Sequence, residues 1–364
     1  MRIVLFYHSL VSDWNHGNAH FLRGIISELM SRGDEVRVYE PADSWSRTNL
    51  VHEYGEAAIA DFYKSYPSHS SHQYDLATLD LDEVLAGADL VLVHEWNEHQ
   101  LVRRVGEHRA RHNSYTLFFH DTHHRAITAP EQMHGYDLTH YDAVLAYGDV
   151  LRQLYADRDW ARRAFTWHEA ADTRVFHPLP RGDFEGDVVW IGNWGDEERS
   201  AELREFLIEP VSVLGLKAKI YGVRYPRAAM ELLRDAQIDF GGWLPNYRAP
   251  EVFARYKITV HIPRRPYLQA LPGIPTIRPF EALACGIPLI CSPWNDAENL
   301  FTPGEDYLVA RDPGEMKKHL RALLEDKQMA RELAEHGLAT IRARHTCAHR
   351  VDELLNIYEE VRPQ

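Results

Sequence analysis

Apolar positions along the chain fall into two patterns, short unbroken runs and longer stretches at helical spacing. Residues 3–7 are apolar throughout, as suits a strand buried on both faces of a parallel sheet. A polar loop follows over 9–18. Then Phe21, Leu22, Ile25, Ile26, Leu29 and Met30 recur at the spacing of one helix face. Gly33 stands where a helix C-cap glycine belongs, and residues 36–39 resume as a strand closed by Pro41. That is one βαβ unit. The stretch over 44–80 is rich in Ser, His and Tyr, and predicts a helix near 54–64 with loops around it. Strands recur at 90–94, 115–120 and 143–147, each ending in polar residues. In open parallel sheets ligands gather at the carboxyl ends of strands. The tails His94-Glu95-Trp96, His120-Asp121-Thr122 and Tyr147-Gly148-Asp149 are therefore expected in one cleft.

Residues 176–183 are polar and rich in Pro and Gly, which reads as a linker. A second alternating series begins at 187. Strands are expected at 187–193, 218–222, 258–262, 288–291 and 307–309, with helices over 197–207, 226–236, 250–256 and 277–284. The tail over 313–358 predicts two or three amphipathic helices. Alternating strands and helices give an α/β class with parallel sheets. The expected division is an N-terminal domain over 1–172, a linker over 173–186, a second domain over 187–344 and a C-terminal helix over 345–364.

A length of 364 residues fits two domains, and 45% hydrophobic with 26% charged residues excludes wholesale disorder. The net charge is 40 − 54 = −14, which argues against a protein that coats nucleic acid. Of the 40 basic residues 33 are Arg and 7 are Lys, and Arg is the better bidentate partner for phosphate. Cys285, Cys291 and Cys347 form no CxxC pair, so a cytoplasmic location is expected rather than a disulfide scaffold. The chain opens directly into a strand with no leader pattern, and no stretch approaches 18 apolar residues. Peripheral membrane contact stays open.

The segment over 272–290 carries the most chemistry. A loop rich in Gly and Pro feeds a short helix that stops at Gly286, where a strand begins. Helix N-termini offer free N–H groups and partial positive charge to phosphate. Thr276 is placed as N-cap or phosphate ligand, with Ile277 and Arg278 opening the helix. Glu281 lies one turn in, placed either for a ribose diol or simply to complement the helix dipole.

The run Phe280-Glu281-Ala282-Leu283-Ala284-Cys285-Gly286-Ile287-Pro288 resembles the signature of two-domain GT-B glycosyltransferases of the group-1, GT4-like class. Arg278 before it, and His345-Thr346-Cys347-Ala348-His349-Arg350, most resemble the spore-maturation (CgeB-type) branch. The resemblance implies two facing Rossmann-like domains with a cleft between them, and a C-terminal helix returning to the N-terminal domain. It implies that Glu281 holds the donor ribose and that the preceding loop amides hold the diphosphate. The family often carries a second glutamate eight residues earlier, where this chain has Gly273.

By the same resemblance, Gly192 and Asn193 match the loop near the donor phosphates. Arg199 and Arg224 are then the diphosphate clamps, with Arg264 and Arg265 as alternatives. Trp243 and Leu244 match the loop that reads the base. His16, Gly17 and Asn18 match the loop on the acceptor side, and His94, Glu95 and Glu98 line that side too. The first loop lacks GxGxxG, which argues against a nicotinamide cofactor.

His120 and Asp121 end a strand, where imidazole or carboxylate can take a proton from an acceptor hydroxyl. Asp121 is the preferred base and His120 the alternative. The neighbouring His123 and His124 also suggest a metal, but adjacent residues of one loop rarely converge alone, and no metal is assigned. The expected function is metal-independent transfer of a sugar, of the hexosyl and retaining type, from a UDP- or GDP-sugar to an acceptor hydroxyl. No other cofactor is expected. The acceptor class is open among lipid, glycan, protein and small molecule, with nucleic acid excluded. The competing expectations are a GT-B-shaped sugar-nucleotide epimerase or hydrolase, and a non-catalytic nucleotide-sugar binding protein.

Overall fold

The computed structural model describes residues 1–362, so the last two residues of the expected 345–364 segment lie outside the described residues. The chain divides into two compact units. The first is Met1–Glu169 with Cys347–Gln364, and the second is Ala170–Thr346. The chain thus passes from one unit to the other after Glu169, and the Pro- and Gly-rich stretch over 176–183 lies inside the second unit.

The first unit is built on seven strands: β1 Arg2–Phe6, β2 Glu35–Pro41, β3 Ser71–Tyr74, β4 Leu90–His94, β5 Thr116–Asp121, β6 Ala143–Ala146 and β7 Ala164–Thr166. Their order is β3-β2-β1-β4-β5-β6-β7, and every pairing is parallel. β4 and β5 have every residue buried, so their apolar runs were plain in the sequence. β3 and β7 had no such signal. They are short edge strands, and in β3 only Tyr74 is buried. The expected helix near 54–64 is the second of a pair, Trp45–Tyr54 and Glu56–Ser65, separated by Gly55 at φ +75°.

The Ala19–Ser31 helix is buried along most of its length. The final helix, Cys347–Val361, packs on it with Val351 and Leu354 buried. Arg32 ties the two by pairing with Asp352 at 2.7 Å and donating to the Ala348 carbonyl at 3.1 Å. Trp167 Nε1 donates to the Arg350 carbonyl at 2.8 Å.

The second unit holds β8 Gly186–Ile191, β9 Ala218–Tyr221, β10 Asp239–Phe240, β11 Tyr256–His261, β12 Leu289–Cys291 and β13 Leu308–Val309. The order is β10-β9-β8-β11-β12-β13, again all parallel. Its core joins Val188, Trp190, Ile220, Ile258 and Val260 to Leu203, Val211, Met316 and Leu320 from the helices. The helix expected over 197–207 is not a simple α-helix. Ser200–Leu203 leads into a π-helical stretch, Arg204–Ile208, and then Glu209–Leu214. Pro210 has no N–H to donate and its ring crowds the carbonyl four residues back, so a wider turn absorbs it. The tail is three helices, Pro313–Glu325, Lys327–Arg344 and Cys347–Val361.

Both sheets reverse their strand order once, at β1/β4 and at β8/β11. In doubly wound sheets the crevice for ligands lies at the carboxyl ends of the strands flanking that reversal. Each unit therefore has a topologically defined place for a site.

Candidate functional site

In the second unit the loops after β8, β9 and β10 are stitched together. Gly222 N–H donates to the Gly242 carbonyl at 2.8 Å, and Val223 N–H donates to Asn193 Oδ1 at 3.1 Å. Position 222 must be glycine, because a Cβ there would lie 2.1 Å from the Gly192 carbonyl oxygen. Trp190 Nε1 and the Tyr225 hydroxyl both donate to that same carbonyl, at 3.2 and 2.8 Å. Gly192, Asn193, Arg224, Trp243 and Leu244 are thereby gathered at one end of the sheet. Trp243 and Leu244 are half-buried. Arg224 sits in the left-handed region at φ +60° and pairs with Asp196 at 2.9 Å.

Arg199 differs from the other basic residues here. Its guanidinium lies over the Trp190 ring, 5.0 Å from the centroid. It donates to the Ile262 carbonyl at 3.1 Å and to the Asn193 carbonyl, and its Nε is buried with no partner. Burial, reinforced by the neighbouring Arg264, lowers its pKa from the usual 12.5 to about 9. Arg264 and Arg265 are already engaged: Arg264 pairs with Glu198 at 3.2 Å, and Arg265 donates to the Glu198 carbonyl at 3.1 Å.

The Ile277–Ala284 helix forms as its sequence predicts. Thr276 does occupy the N-cap position, but its side chain makes no capping bond. Its hydroxyl is taken by His261 Nε2, at 3.1 Å, at the end of β11. Burial, with Arg199 and Arg278 nearby, pushes the His261 pKa down to about 3, so this ring is neutral. Ile277 is buried. Glu281 is fully buried and its carboxylate is paired with Arg278 one turn back, so it is not an open ribose acceptor as it stands. At Gly273, φ +87°, the space a side chain would fill is taken. A Cβ there would lie 2.8 Å from Glu298 Cγ and 2.9 Å from its Oε1. The carboxylate that the sequence lacks at 273 is thus present beside it, from a residue 25 positions further on that no spacing pattern marked.

In the first unit, His8 follows β1, and His94 and His120 sit at the ends of β4 and β5. A chain of edge-on imidazoles runs His8–His16 (5.9 Å), His16–His94 (6.1 Å) and His94–His120 (5.3 Å between centroids). Burial keeps all four neutral at pH 7. It lowers His8 to about 4, His16 to about 3 and His120 to about 3, and holds His94 well below 6.5. Several polar atoms here are buried without partners: His16 Nε2, both side-chain polar atoms of Asn18, and both ring nitrogens of His120. Buried polar groups are nearly always satisfied by protein or ordered water, so such a set marks a place for water or polar ligand. Gly17 is exposed beside them.

Asp121 accepts from the Tyr155 hydroxyl at 2.8 Å and from His123 N–H at 3.0 Å. Burial outweighs both bonds and raises its pKa from 3.8 to about 6. His94 Nε2 meets Thr122 Oγ1 at 3.0 Å, which joins two of the expected strand tails. The third diverges. Asp149 opens the next helix and pairs with Arg152 at 2.6 Å. Glu95, expected on the acceptor side, is buried and paired with Arg125, whose guanidinium lies 4.0 Å from the centroid of the half-open Trp96 ring. Glu98 is exposed. Among the described residues, the group of histidines and carboxylates that converges as metal ligands do is Asp82, His108 and His112, away from the His120–Arg125 segment.

Residues 199–356 match the family model described as glycosyl transferase-like. No curated protein matches the chain in sequence. Solved structures match it over nearly its whole length. An α-glucosyltransferase in complex with UDP and a 13-mer DNA containing an HMU base has a TM-score of 0.72 at 12% identity, covering 99% of both chains. HepE from Anabaena in complex with UDP has a TM-score of 0.67 at 13% identity, covering 99% of this chain and 100% of that one. Sucrose-phosphate synthase from Thermosynechococcus elongatus has a TM-score of 0.66 at 13% identity, covering 99% and 98%. The fold is GT-B. In the second unit the loop after β8 lies at the carboxyl end of a strand flanking the reversal of strand order. Among the described residues no helix is long and apolar enough to cross a membrane.

Proposed function

We propose that this GT-B chain is a glycosyltransferase that moves a sugar from a nucleoside diphosphate donor to an acceptor hydroxyl. The observation that carries the reading is Arg199. A largely buried guanidinium with no carboxylate partner and a free Nε–H is costly until an anion arrives, and a diphosphate supplies both charge and acceptor oxygens. In the reaction the C1–O bond to the diphosphate breaks and the bond from C1 to the acceptor oxygen forms. The nucleoside diphosphate leaves with the bonding electron pair, and the acceptor proton goes to a base. Arg199 and the amides at Asn193 and Ile277 stabilise the leaving charge, while Gly192, whose own N–H goes to the Tyr221 carbonyl, holds the loop open to the donor. Arg224 is the second clamp, and Trp243 and Leu244 flank the base.

In the first unit His16, Gly17, Asn18 and His94 bind the acceptor, and Asp121 takes its proton. A carboxyl raised to about 6 is closer to the pH optimum for a general base than an ordinary aspartate. His120 is the alternative base. Glu298 supplies the carboxylate missing at Gly273, and Glu281 acts through Arg278 to shape the donor loop. The donor is a UDP-sugar, as the UDP complexes of similar folds suggest, with GDP-sugar as the alternative. No metal is invoked for the transfer. A hexosyl donor, retention at the anomeric carbon, the CgeB-type branch and a cytoplasmic site of action complete the reading. No observation favours an epimerase, a hydrolase or a passive binder.

The test is a thermal-shift series with UDP and GDP, followed by transfer assays with UDP-hexoses and NMR of the product anomer. Stabilisation by UDP and loss of that response in Arg199→Met are expected. A chain indifferent to every nucleoside diphosphate would end this reading.

A further inference from the structure

His108 and His112 lie one turn apart on the His99–His112 helix, with ring centroids 4.2 Å apart and planes inclined by 26°. Both rings direct Nε2 at one oxygen. Asp82 Oδ1 is 3.1 Å from His108 Nε2 and 3.2 Å from His112 Nε2. The three ligand atoms lie within 4.8 Å of one another. A tetrahedral metal with bonds of 2.0–2.1 Å has ligand-to-ligand edges of about 3.3–3.4 Å, so the observed separations already approximate two edges of such a site.

The protonation pattern points the same way. The Tyr115 hydroxyl donates to the Val105 carbonyl at 3.3 Å, and its oxygen lies 3.0 Å from His108 Nδ1. In the tautomer in which His108 donates Nδ1–H to that oxygen, Nε2 presents a lone pair to the carboxylate oxygen, an arrangement that a cation between them satisfies. A ring whose other nitrogen is held by a hydrogen bond is how metal-binding histidines are commonly oriented.

The carboxylate is also pre-positioned. Asp80 caps its short helix by accepting from Asp82 N–H at 2.9 Å. Arg104 donates to the Leu79 carbonyl at 2.7 Å and to that of Leu76, fixing the loop. The His112 and Asp82 side chains are 46% and 73% exposed, and a cavity of about 410 Å³ beside them gives an ion access.

We propose that Asp82, His108 and His112 form a transition-metal site that takes Zn²⁺ or its neighbours Co²⁺ and Ni²⁺, with the fourth position left to water. Two imidazoles and one carboxylate suit these ions better than Ca²⁺ or Mg²⁺, which prefer oxygen ligands. The ion would clip the C-terminal turn of the His99–His112 helix to the short Leu81–Val84 helix. The site stands apart from the proposed transfer chemistry and does not depend on it.

The experiment uses the full chain, stripped with chelator and titrated with Zn²⁺ alone and with Co²⁺ alone, beside His112→Ala and Asp82→Asn. The wild type is expected to bind one equivalent more than either variant, and Zn²⁺ is expected to raise its Tm but not theirs. Both substituted side chains are well exposed, so the metal-free variants should melt with the wild type. Tyr115→Phe should weaken Zn²⁺ binding about 10- to 100-fold by freeing the tautomer. Equal stoichiometry and affinity in wild type and variants, or no uptake by the wild type at excess Zn²⁺, overturns the site.

Discussion

Replacing Arg199 with Met should separate stability from donor binding. In the free protein the guanidinium makes bonds to the Asn193 and Ile262 carbonyls and lies on Trp190, but it faces no carboxylate, and burial has brought its pKa to about 9. Desolvating a charge costs up to several kcal/mol, and replacing buried ions with apolar side chains of similar size is often neutral or stabilising. Met keeps most of the stem that packs on the ring. Losing two bonds from the charged guanidinium to carbonyls costs about 1.5–3 kcal/mol each. These terms nearly cancel, so the free variant should melt close to the wild type.

With donor present the balance changes. Hydrogen bonds to a charged partner contribute about 1.5–3 kcal/mol, which is roughly a 10- to 150-fold loss in UDP affinity at 1.4 kcal/mol per decade. At a UDP concentration of 100 Kd the wild type gains about 2.7 kcal/mol of stability by mass action, and a variant weakened 100-fold gains only about 0.4 kcal/mol. Calorimetry for Kd and thermal melts with and without UDP read both quantities. A variant that binds UDP like the wild type would refute the reasoning. So would one that loses several kcal/mol without ligand, since Arg199 would then be structural.

Other outcomes follow from the same geometry. With Asp121 as base at a pKa of about 6, kcat/KM should rise as pH passes upward through about 6, and Asp121→Asn should abolish that limb while leaving UDP affinity intact. Because the folded-state pKa is raised, Asp121 also lowers wild-type stability as pH climbs from about 4 to 6. Asp121→Asn should therefore gain on the wild type across that window in urea melts. His8, His16 and His120 are depressed to about 4, 3 and 3, so their contribution is present above pH 6.5 and lost as pH falls toward those values. His16→Asn should flatten the fall in stability by about 1.4 kcal/mol per pH unit between pH 6 and 4, and an unchanged slope would count against a neutral array. Glu281→Ala strands Arg278 and should cost about 3–5 kcal/mol of stability as well as donor affinity, read by urea melts and UDP titration; a wild-type melt would show that the pair is not buried in solution. Glu298→Gln should lower kcat more than it weakens UDP binding, and equal loss in both would make Glu298 a donor ligand instead.

Elements with dense apolar patterns were legible, and those without were not. β1, β4 and β5 contain unbroken apolar runs because a parallel strand is covered on both faces. β3 and β7 lie at sheet edges, where little side-chain burial is required and the sequence carries no mark. The Ile277–Ala284 helix was marked by a loop before it and Gly286 after it. Its chemistry was less legible. Thr276, read as N-cap or phosphate ligand, sits at the N-cap with its hydroxyl on His261, and Glu281, read for a ribose diol or the helix dipole, is paired with Arg278.

Local pattern by itself determined the α/β class, the strand ends that carry His94, His120 and Asp121, and the helix that starts after Thr276. Those are properties of neighbours in the chain. Tertiary structure decided which of these groups meet and in what charge state. Arg224, Arg264 and Arg265 have carboxylate partners from other segments, whereas Arg199 is held by backbone carbonyls and the Trp190 ring. Glu298 stands beside Gly273, and His8 joins three other imidazoles, only because separate loops come together at the strand ends. Charge pairing and burial depend on distances in space, and spacing along the chain does not encode them.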